Sequence, residues 1–324
     1  MIATRFTRLV GVDHPVVLGG MGGSTSPELV AAVSGAGGLG IQGATLYAPD
    51  QVAGLADQIR RLTPAPFGMN LLLFRAADQL VDAVLEARPH VFSTAWPGPE
   101  QSLAAVFARA HAADCLVVHM VSTVEEALLA EAAGADVIVA QGTEGGGHVG
   151  TMGSSVLIPM VSERVRVPVL AAGGFATGAG LAAALALGAD GLLLGTRFLA
   201  TPEAPLHPNF KQMILDSDGH DTIATEIPDV AQGSVWPGAY ARVKRNRLVE
   251  DWIGREGELR RRRPEVIARM SAAREAGDTD YAILYAGQTA GLINSLMPAA
   301  EVVTSITGEA EAIVRGRLSS LIQP

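Results

Sequence analysis

The stretch Gln141-Gly142-Thr143-Glu144-Gly145-Gly146-Gly147-His148-Val149-Gly150 sets one histidine inside a glycine run, directly after the apolar run Asp136–Ala140. The glycines leave little side-chain bulk beside the ring, so it is expected to project freely into a site. Histidine can hydrogen-bond, carry positive charge or transfer a proton near neutral pH, which makes His148 the expected catalytic residue. Two other glycine turns, Ala171-Ala172-Gly173-Gly174 and Leu194-Gly195-Thr196, also close apolar runs. Free amides at such turns favour an anion, and the pair implies a phosphorylated ligand. Gly19-Gly20-Met21-Gly22-Gly23 is bare enough for backbone amides to approach a flat ligand, and Asn70 adds an amide that both donates and accepts.

Other chemistries find no support. Gly38-Leu39-Gly40-Ile41-Gln42-Gly43 and Gly145-Gly146-Gly147-His148-Val149-Gly150 fit the spacing G-x-G-x-x-G, but neither follows a strand and opens a helix directly, as a dinucleotide fingerprint must. Lys211 and Lys244 lack the glycine loop of a nucleotide-triphosphate site. Neither G-x-S-x-G nor H-E-x-x-H occurs. His14, His90, His111, His119, His207 and His220 show no metal-ligand spacing, and no metal is expected.

The elements that must position these residues repeat one pattern from residue 15 to 200: a short apolar run, a small-residue turn, then an Ala/Leu-rich segment of helical spacing. Eight apolar runs follow one another: Pro15–Gly19, Leu39–Gln42, Phe67–Leu73, His90–Ala95, Cys115–Met120, Asp136–Ala140, Val167–Ala171 and Gly191–Leu194. Runs such as Val137-Ile138-Val139 lack polar alternation, as parallel strands covered on both faces do. Ser26-Pro27-Glu28, Ser122-Thr123 and Thr177 read as helix starts. A doubly wound sheet shares this periodicity, and the count of eight favours a closed (β/α)8 TIM barrel over residues 1–200. Working residues then lie at the C-terminal strand ends, where all the motifs above fall.

Residues 201–280 lose the repeat and carry charge runs, including Lys244-Arg245-Asn246-Arg247 and Arg260 to Arg263, so a mainly helical insertion or cap is expected there. Such charge runs are read as solvated helix faces. Residues 281–324 read as a helical segment returning to the barrel, interrupted at Met297-Pro298. Its apolar faces suit a homodimer or packing against the barrel equally well.

The 324-residue chain, 48% hydrophobic, suffices for one such domain, which needs about 250 residues. A net charge of −9 argues against nucleic-acid partners, since phosphate neutralisation needs a basic face. Cys115 is the single cysteine, so no intrachain disulfide or multi-thiolate metal site can form. No run of about 20 apolar residues lacks glycine or charge, and residues 1–8 carry no long apolar core, so a soluble cytoplasmic protein with no membrane association is expected.

The chain resembles the nitronate monooxygenase (formerly 2-nitropropane dioxygenase) superfamily, which also includes FMN-dependent enoyl-acyl-carrier-protein reductases and NADH:quinone reductases. The resemblance spans nearly the whole chain. It rests on His14-Pro15 with Gly19-Gly20-Met21, Pro66-Phe67-Gly68-Met69-Asn70, Glu144-Gly145-Gly146-Gly147-His148, Ala171-Ala172-Gly173-Gly174 and Gly195-Thr196-Arg197-Phe198-Leu199. It implies FMN, with Met21 and Asn70 near the isoalloxazine and Gly20, Gly22 and Gly147 in the same cradle. Gln141 and Gly146 would run along the ribityl and ring side, and Gly173, Gly174, Gly195 and Thr196 around the phosphate. His148 matches the family's active-site histidine, and Ala286-Gly287-Gln288 resembles a segment that would bring Gln288 to the flavin. Met120 stands where some members carry a lysine.

The first expectation is oxidation of an alkyl nitronate by FMN and dioxygen to a carbonyl compound and an oxidised nitrogen species. There His148 would hold the nitronate oxygen or accept the α-proton of a neutral nitro compound. The second is NAD(P)H-dependent reduction of an enoyl thioester or quinone, with His148 supplying or orienting a proton. The third is a phosphate-ligand or flavin-binding barrel without turnover.

Overall fold

The computed structural model describes residues 2–322. Residues 1, 323 and 324, at the outer ends of the expected 1–200 and 281–324 units, lie outside the described residues. The strands are β1 (Val16–Leu18), β2 (Leu39–Gly43), β3 (Phe67–Leu72), β4 (Val91–Ala95), β5 (Leu116–Val121), β6 (Val137–Gln141), β7 (Gly147–Val149), β8 (Val169–Ala172), β9 (Gly191–Leu194), β10 (Thr222–Thr225) and β11 (Tyr240–Lys244). All but β7, β10 and β11 pair in parallel, and β9 returns to β1 to close an eight-stranded barrel. Each of the eight apolar runs overlaps one of these barrel strands, with β2, β5, β6 and β8 running one residue further than expected.

Alternation along each strand builds two cores from one sequence pattern. Val17, Ile41, Val118, Val139 and Leu170 fill the barrel interior, which Phe6, Val10 and Val12 plug from its N-terminal end. Their strand neighbours, such as Leu18, Phe92, Ile138 and Leu192, pack outward against the helices. Each buried aliphatic or aromatic side chain of this size contributes about 2 kcal/mol of transfer free energy, which is why both faces are apolar.

The helix starts behave as their residue types require. The side chains of Ser26, Thr123 and Thr177 accept from backbone amides three residues on, at the N-termini of helices Pro27–Gly35, Val124–Ala132 and Gly178–Ala186. Thr123 and Glu126 complete a capping box. The ring of helices is finished by Ala299–Ala312, which starts after Pro298 and packs between Gly178–Ala186 and Pro27–Gly35. Contact there is close: a Cβ on Gly178 would lie 2.6 Å from the Ala310 amide nitrogen.

The cap after β9 is mainly helical and has its own core, including Phe210, Ile227, Val243, Trp252 and Leu284. It also contains strands β10 and β11, which form an antiparallel sheet with β7 in the order β10-β11-β7. Tyr281 to Leu284 belong to this cap core rather than to the barrel. No helix among the described residues is long and apolar enough to cross a membrane.

Candidate active site

Period-two alternation turns Asn70, Ser93, Met120 and Gln141 inward at the C-terminal ends of β3 to β6. Asn70 Nδ2 donates to Ser93 Oγ at 3.0 Å. Gln141 Oε1 is buried and accepts from nothing among the described residues. An orphaned acceptor at a barrel mouth is costly unless a ligand donates to it.

Around this floor, glycines replace side chains where backbones crowd. A Cβ on Gly20 would lie 2.4 Å from Asn70 Cβ, and one on Gly43 would lie 2.4 Å from the Gly22 amide nitrogen. Met21 reaches across to Gly195, where a Cβ would meet its Sδ at 3.3 Å. Gly173 and Gly174 adopt φ of +78° and +81°, which side chains resist. Their amides and that of Thr196 donate to no acceptor among the described residues. Three free amides on adjacent turns suit the oxygens of a phosphate.

Ser154 buttresses this turn, its hydroxyl 2.7 Å from Gly173 O while its amide donates to Glu144 at 3.1 Å. Glu144 thus sits at the N-terminus of helix Ser154–Ser162, where its charge is favoured. Residues 286–288 span the site's edge: Gly287 N donates to Thr196 Oγ1 at 2.9 Å, and Gln288 N to Glu144 O at 2.9 Å. Gly146 lies directly beneath, a Cβ there falling 2.6 Å from Gly287 N. Gln288 contributes this backbone contact, and its side chain is exposed.

His148 is not the free loop ring that the glycine run suggests. It lies on β7, paired with Ala241 of β11. Its Nε2 meets Asp229 Oδ1 at 3.0 Å, with the two side chains only 8% and 9% exposed. A carboxylate only accepts, so in the neutral ring this contact puts the proton on Nε2 and leaves Nδ1 with its lone pair. Trp236 stacks on the imidazole at 3.3 Å between centroids and 9° between planes, covering one face of the ring.

Further aromatics lie beside this stack. Phe74 lies 4.8 Å and Trp96 6.2 Å from Trp236, and Tyr285 lies 5.7 Å from His148. Trp96 holds a φ of +51°, an unusual backbone for a bulky residue, directly after β4. The Tyr285 phenol is pushed up by burial, and its oxygen accepts from Gln232 Nε2 at 3.2 Å. Asp229, Trp236, Tyr285 and Trp96 are site residues that sequence reasoning missed. Only Pro228-Asp229 at a helix start offers a local cue, and it points to a cap. Elsewhere, His119 is buried against Thr94 Oγ1 at 2.7 Å, and burial lowers its pKa to about 4. Among the described residues no group of three or more His, Cys, Asp or Glu could hold a metal ion.

The structure therefore offers a glycine-lined floor for a flat ring, a cradle of free amides for its phosphate, and a carboxylate-held imidazole above. Gln141, the amides of residues 173–174 and 196, and the bare turns at 20–22 and 43 are groups of the kind that could hold a flavin. A flavin bound here would supply two-electron chemistry, with these residues placed to hold it.

Known proteins match this architecture along its whole length. The family model described as nitronate monooxygenase matches residues 3–82 and 74–309. A Rhodococcus jostii protein named (3aS,4S,5R,7aS)-5-hydroxy-7a-methyl-1-oxo-octahydro-1H-indene-4-carboxyl-CoA dehydrogenase is 31% identical, over 95% of this chain and 96% of its own. The structure of FabK from Thermotoga maritima superposes with a TM-score of 0.89 at 34% identity, covering 99% of this chain and 100% of that one. Nitroalkane oxidase from Streptomyces ansochromogenes gives 0.83 at 30% identity, covering 97% and 100%. Matches of this length and identity, on a barrel whose mouth could hold a flavin, establish that the chain belongs to the nitronate monooxygenase family of flavin-dependent oxidoreductases.

Proposed function

We propose that this chain is an FMN-dependent oxidoreductase that reduces an α,β-unsaturated acyl thioester with NAD(P)H. The observation that carries this reading is the His148–Asp229 pair, buried under Trp236. A nitronate arrives already without its α-proton, so its oxidation makes little demand on a carboxylate-held imidazole. Addition of hydrogen across a carbon–carbon double bond does make that demand, because one proton must be delivered to Cα. FMN bound at the glycine floor would supply the two-electron chemistry that links NAD(P)H to Cβ of the substrate. Protonated Nδ1 of His148 gives its proton to Cα, and the Asp229 carboxylate stabilises the imidazolium before transfer. One relative supports a thioester: the Rhodococcus protein is named a carboxyl-CoA dehydrogenase.

Oxidation of a nitro compound by dioxygen is the second reading. It is favoured by the family model and by the nitroalkane oxidase match. A neutral nitroalkane would lose its α-proton to the same nitrogen. The deciding experiment is an anaerobic visible spectrum of FMN-loaded protein mixed separately with NADH, NADPH and 2-propane nitronate, each followed by crotonyl-CoA. The proposal expects bleaching by a pyridine nucleotide and recovery of the oxidised spectrum on adding crotonyl-CoA. Bleaching by nitronate alone transfers the assignment to the second reading, and failure to take up FMN removes both.

A further inference from the structure

Three arginines stand around the aromatic chamber without an ion-pair partner among the described residues: Arg75, Arg263 and Arg274. Arg75 is exposed, lies over the Trp236 ring at 5.3 Å, and donates to Ser234 Oγ at 2.6 Å. Arg263 flanks the same segment, its Nη1 lying 2.8 Å from where a Cβ on Gly233 would sit, while its Nε donates to Val230 O at 3.2 Å. Arg274 is exposed on helix Arg263–Ala276, and a separation of eleven residues returns it to the helix face that carries Arg263. Arg75 and Arg274 both act on the Tyr285 hydroxyl in the sense that favours its ionisation, against the stronger opposing effects of burial and of the Asp229 carboxylate.

Arg255 and Arg262 are tied to Glu258 and Glu265 on the outer face of the cap. In a chain of net charge −9, unpaired guanidiniums on one side of the cap, Arg263 and Arg274 about three turns apart on one helix face, give that side positive charge opposite in sign to the whole protein. Guanidinium groups with free N–H edges match phosphate oxygens in geometry as well as charge.

We propose that Arg75, Arg263 and Arg274 form a phosphate-recognising rim that binds the anionic end of a ligand whose reactive end lies beneath His148. This rests on the thioester reading, in which two ligands carry phosphate: the coenzyme A handle of the substrate and the nicotinamide dinucleotide donor. The rim is separate from the Gly173–Gly174 turn, which lies on the barrel rather than at the cap opening.

The test is anaerobic calorimetric titration of the FMN-loaded enzyme, its flavin first reduced with dithionite so that NADPH cannot transfer hydride, with adenosine 3′,5′-bisphosphate, the nucleotide end of coenzyme A, and separately with NADPH. Arg75→Gln and Arg274→Gln change exposed side chains, and bound-flavin absorbance with circular dichroism reports that each variant is folded. Exposed Arg164 lies outside the cap, and Arg164→Gln is the charge-matched control. Each rim variant is expected to weaken binding of one phosphate ligand about tenfold, the loss of roughly one charge-assisted contact, while Arg164→Gln does not. Weakening with the bisphosphate assigns the rim to the substrate handle, and weakening with NADPH alone assigns it to the donor. Wild-type affinity for both ligands in both rim variants, or no binding of either to the wild type, overturns the rim. Crotonyl-CoA turnover would still stand or fall in the spectral experiment.

Discussion

Asp229→Asn keeps the shape of the side chain beside His148 and removes its charge. The wild-type contact is a 3.0 Å hydrogen bond between groups more than nine-tenths buried, so solvent screens it little. A hydrogen bond to a charged partner in such a setting is worth about 1.5–3 kcal/mol. If that stabilisation is felt mainly when the imidazole is protonated, its loss slows proton delivery by about 10- to 150-fold. The asparagine amide can also donate to Nε2, moving the ring proton to Nδ1 in the neutral form and raising the cost of making the imidazolium. The assay is anaerobic stopped-flow reoxidation of reduced enzyme by crotonyl-CoA across pH, with FMN affinity measured in parallel by flavin fluorescence. The expected result is a slower reoxidation with an altered pH profile and unchanged FMN affinity, because Asp229 belongs to the cap and the phosphate turn to the barrel. Wild-type reoxidation in the flavin-loaded variant would refute the role of the pair. A rate loss accounted for wholly by flavin release would reduce Asp229 to a structural residue.

Two further perturbations probe the barrel. Gly173→Ala would place a Cβ 2.5 Å from Gly142 O at a φ of +78°, and should weaken FMN binding at least about tenfold by equilibrium dialysis. Gly188→Ala, with a φ of +92° but a clearance of 3.1 Å at Ser162, carries similar backbone strain away from the mouth and should leave FMN binding unchanged. His119 has a folded-state pKa lowered by burial from 6.5 to about 4, so the unfolded chain binds the extra proton first as pH falls. Its stabilising contribution is complete above pH 6.5 and is lost on acidification towards pH 4, amounting to about 3 kcal/mol. Urea unfolding of wild type and His119→Gln at intervals from pH 7 to pH 4 should show a shallower decline in the variant, and parallel declines would assign the acid sensitivity elsewhere.

The barrel was legible because burial on both faces makes each parallel strand an unbroken apolar run, as in Val137–Ala140, and because serine and threonine caps mark the helices between. The glycine turns were legible for a related reason: a backbone that must bend at Gly173 and Gly174, or touch another at Gly20, leaves a residue type behind. What surrounds His148 left no such mark. Asp229 lies 81 residues further along the chain, and their meeting depends on β11 pairing with β7, which is only three residues long. Nor does β11 resemble a buried strand, since it carries Arg242 and Lys244 into the interior. Arg242 is accommodated by Thr143 O at 2.8 Å, and Lys244 by Asp221. These partners exist only once the cap has folded. The glycines before His148 signalled room for backbone rather than freedom for the ring: Gly146 is bare because Gly287 rests on it.

The ring of helices is sealed by the end of the chain, since Ala299–Ala312 fills the gap between the first helix after β1 and the helix before β9. Glu309 fastens the seam by accepting from Gly178 N at 2.7 Å. During synthesis the cap is therefore made before the barrel is complete, while β1 and β9 still lack part of their cover. The cap is not an appendage but an excursion between two halves of one repeating unit, anchored to the barrel at both of its ends. Such a double tether means that any movement of the roof over His148 has to be accommodated at two attachments rather than at one hinge.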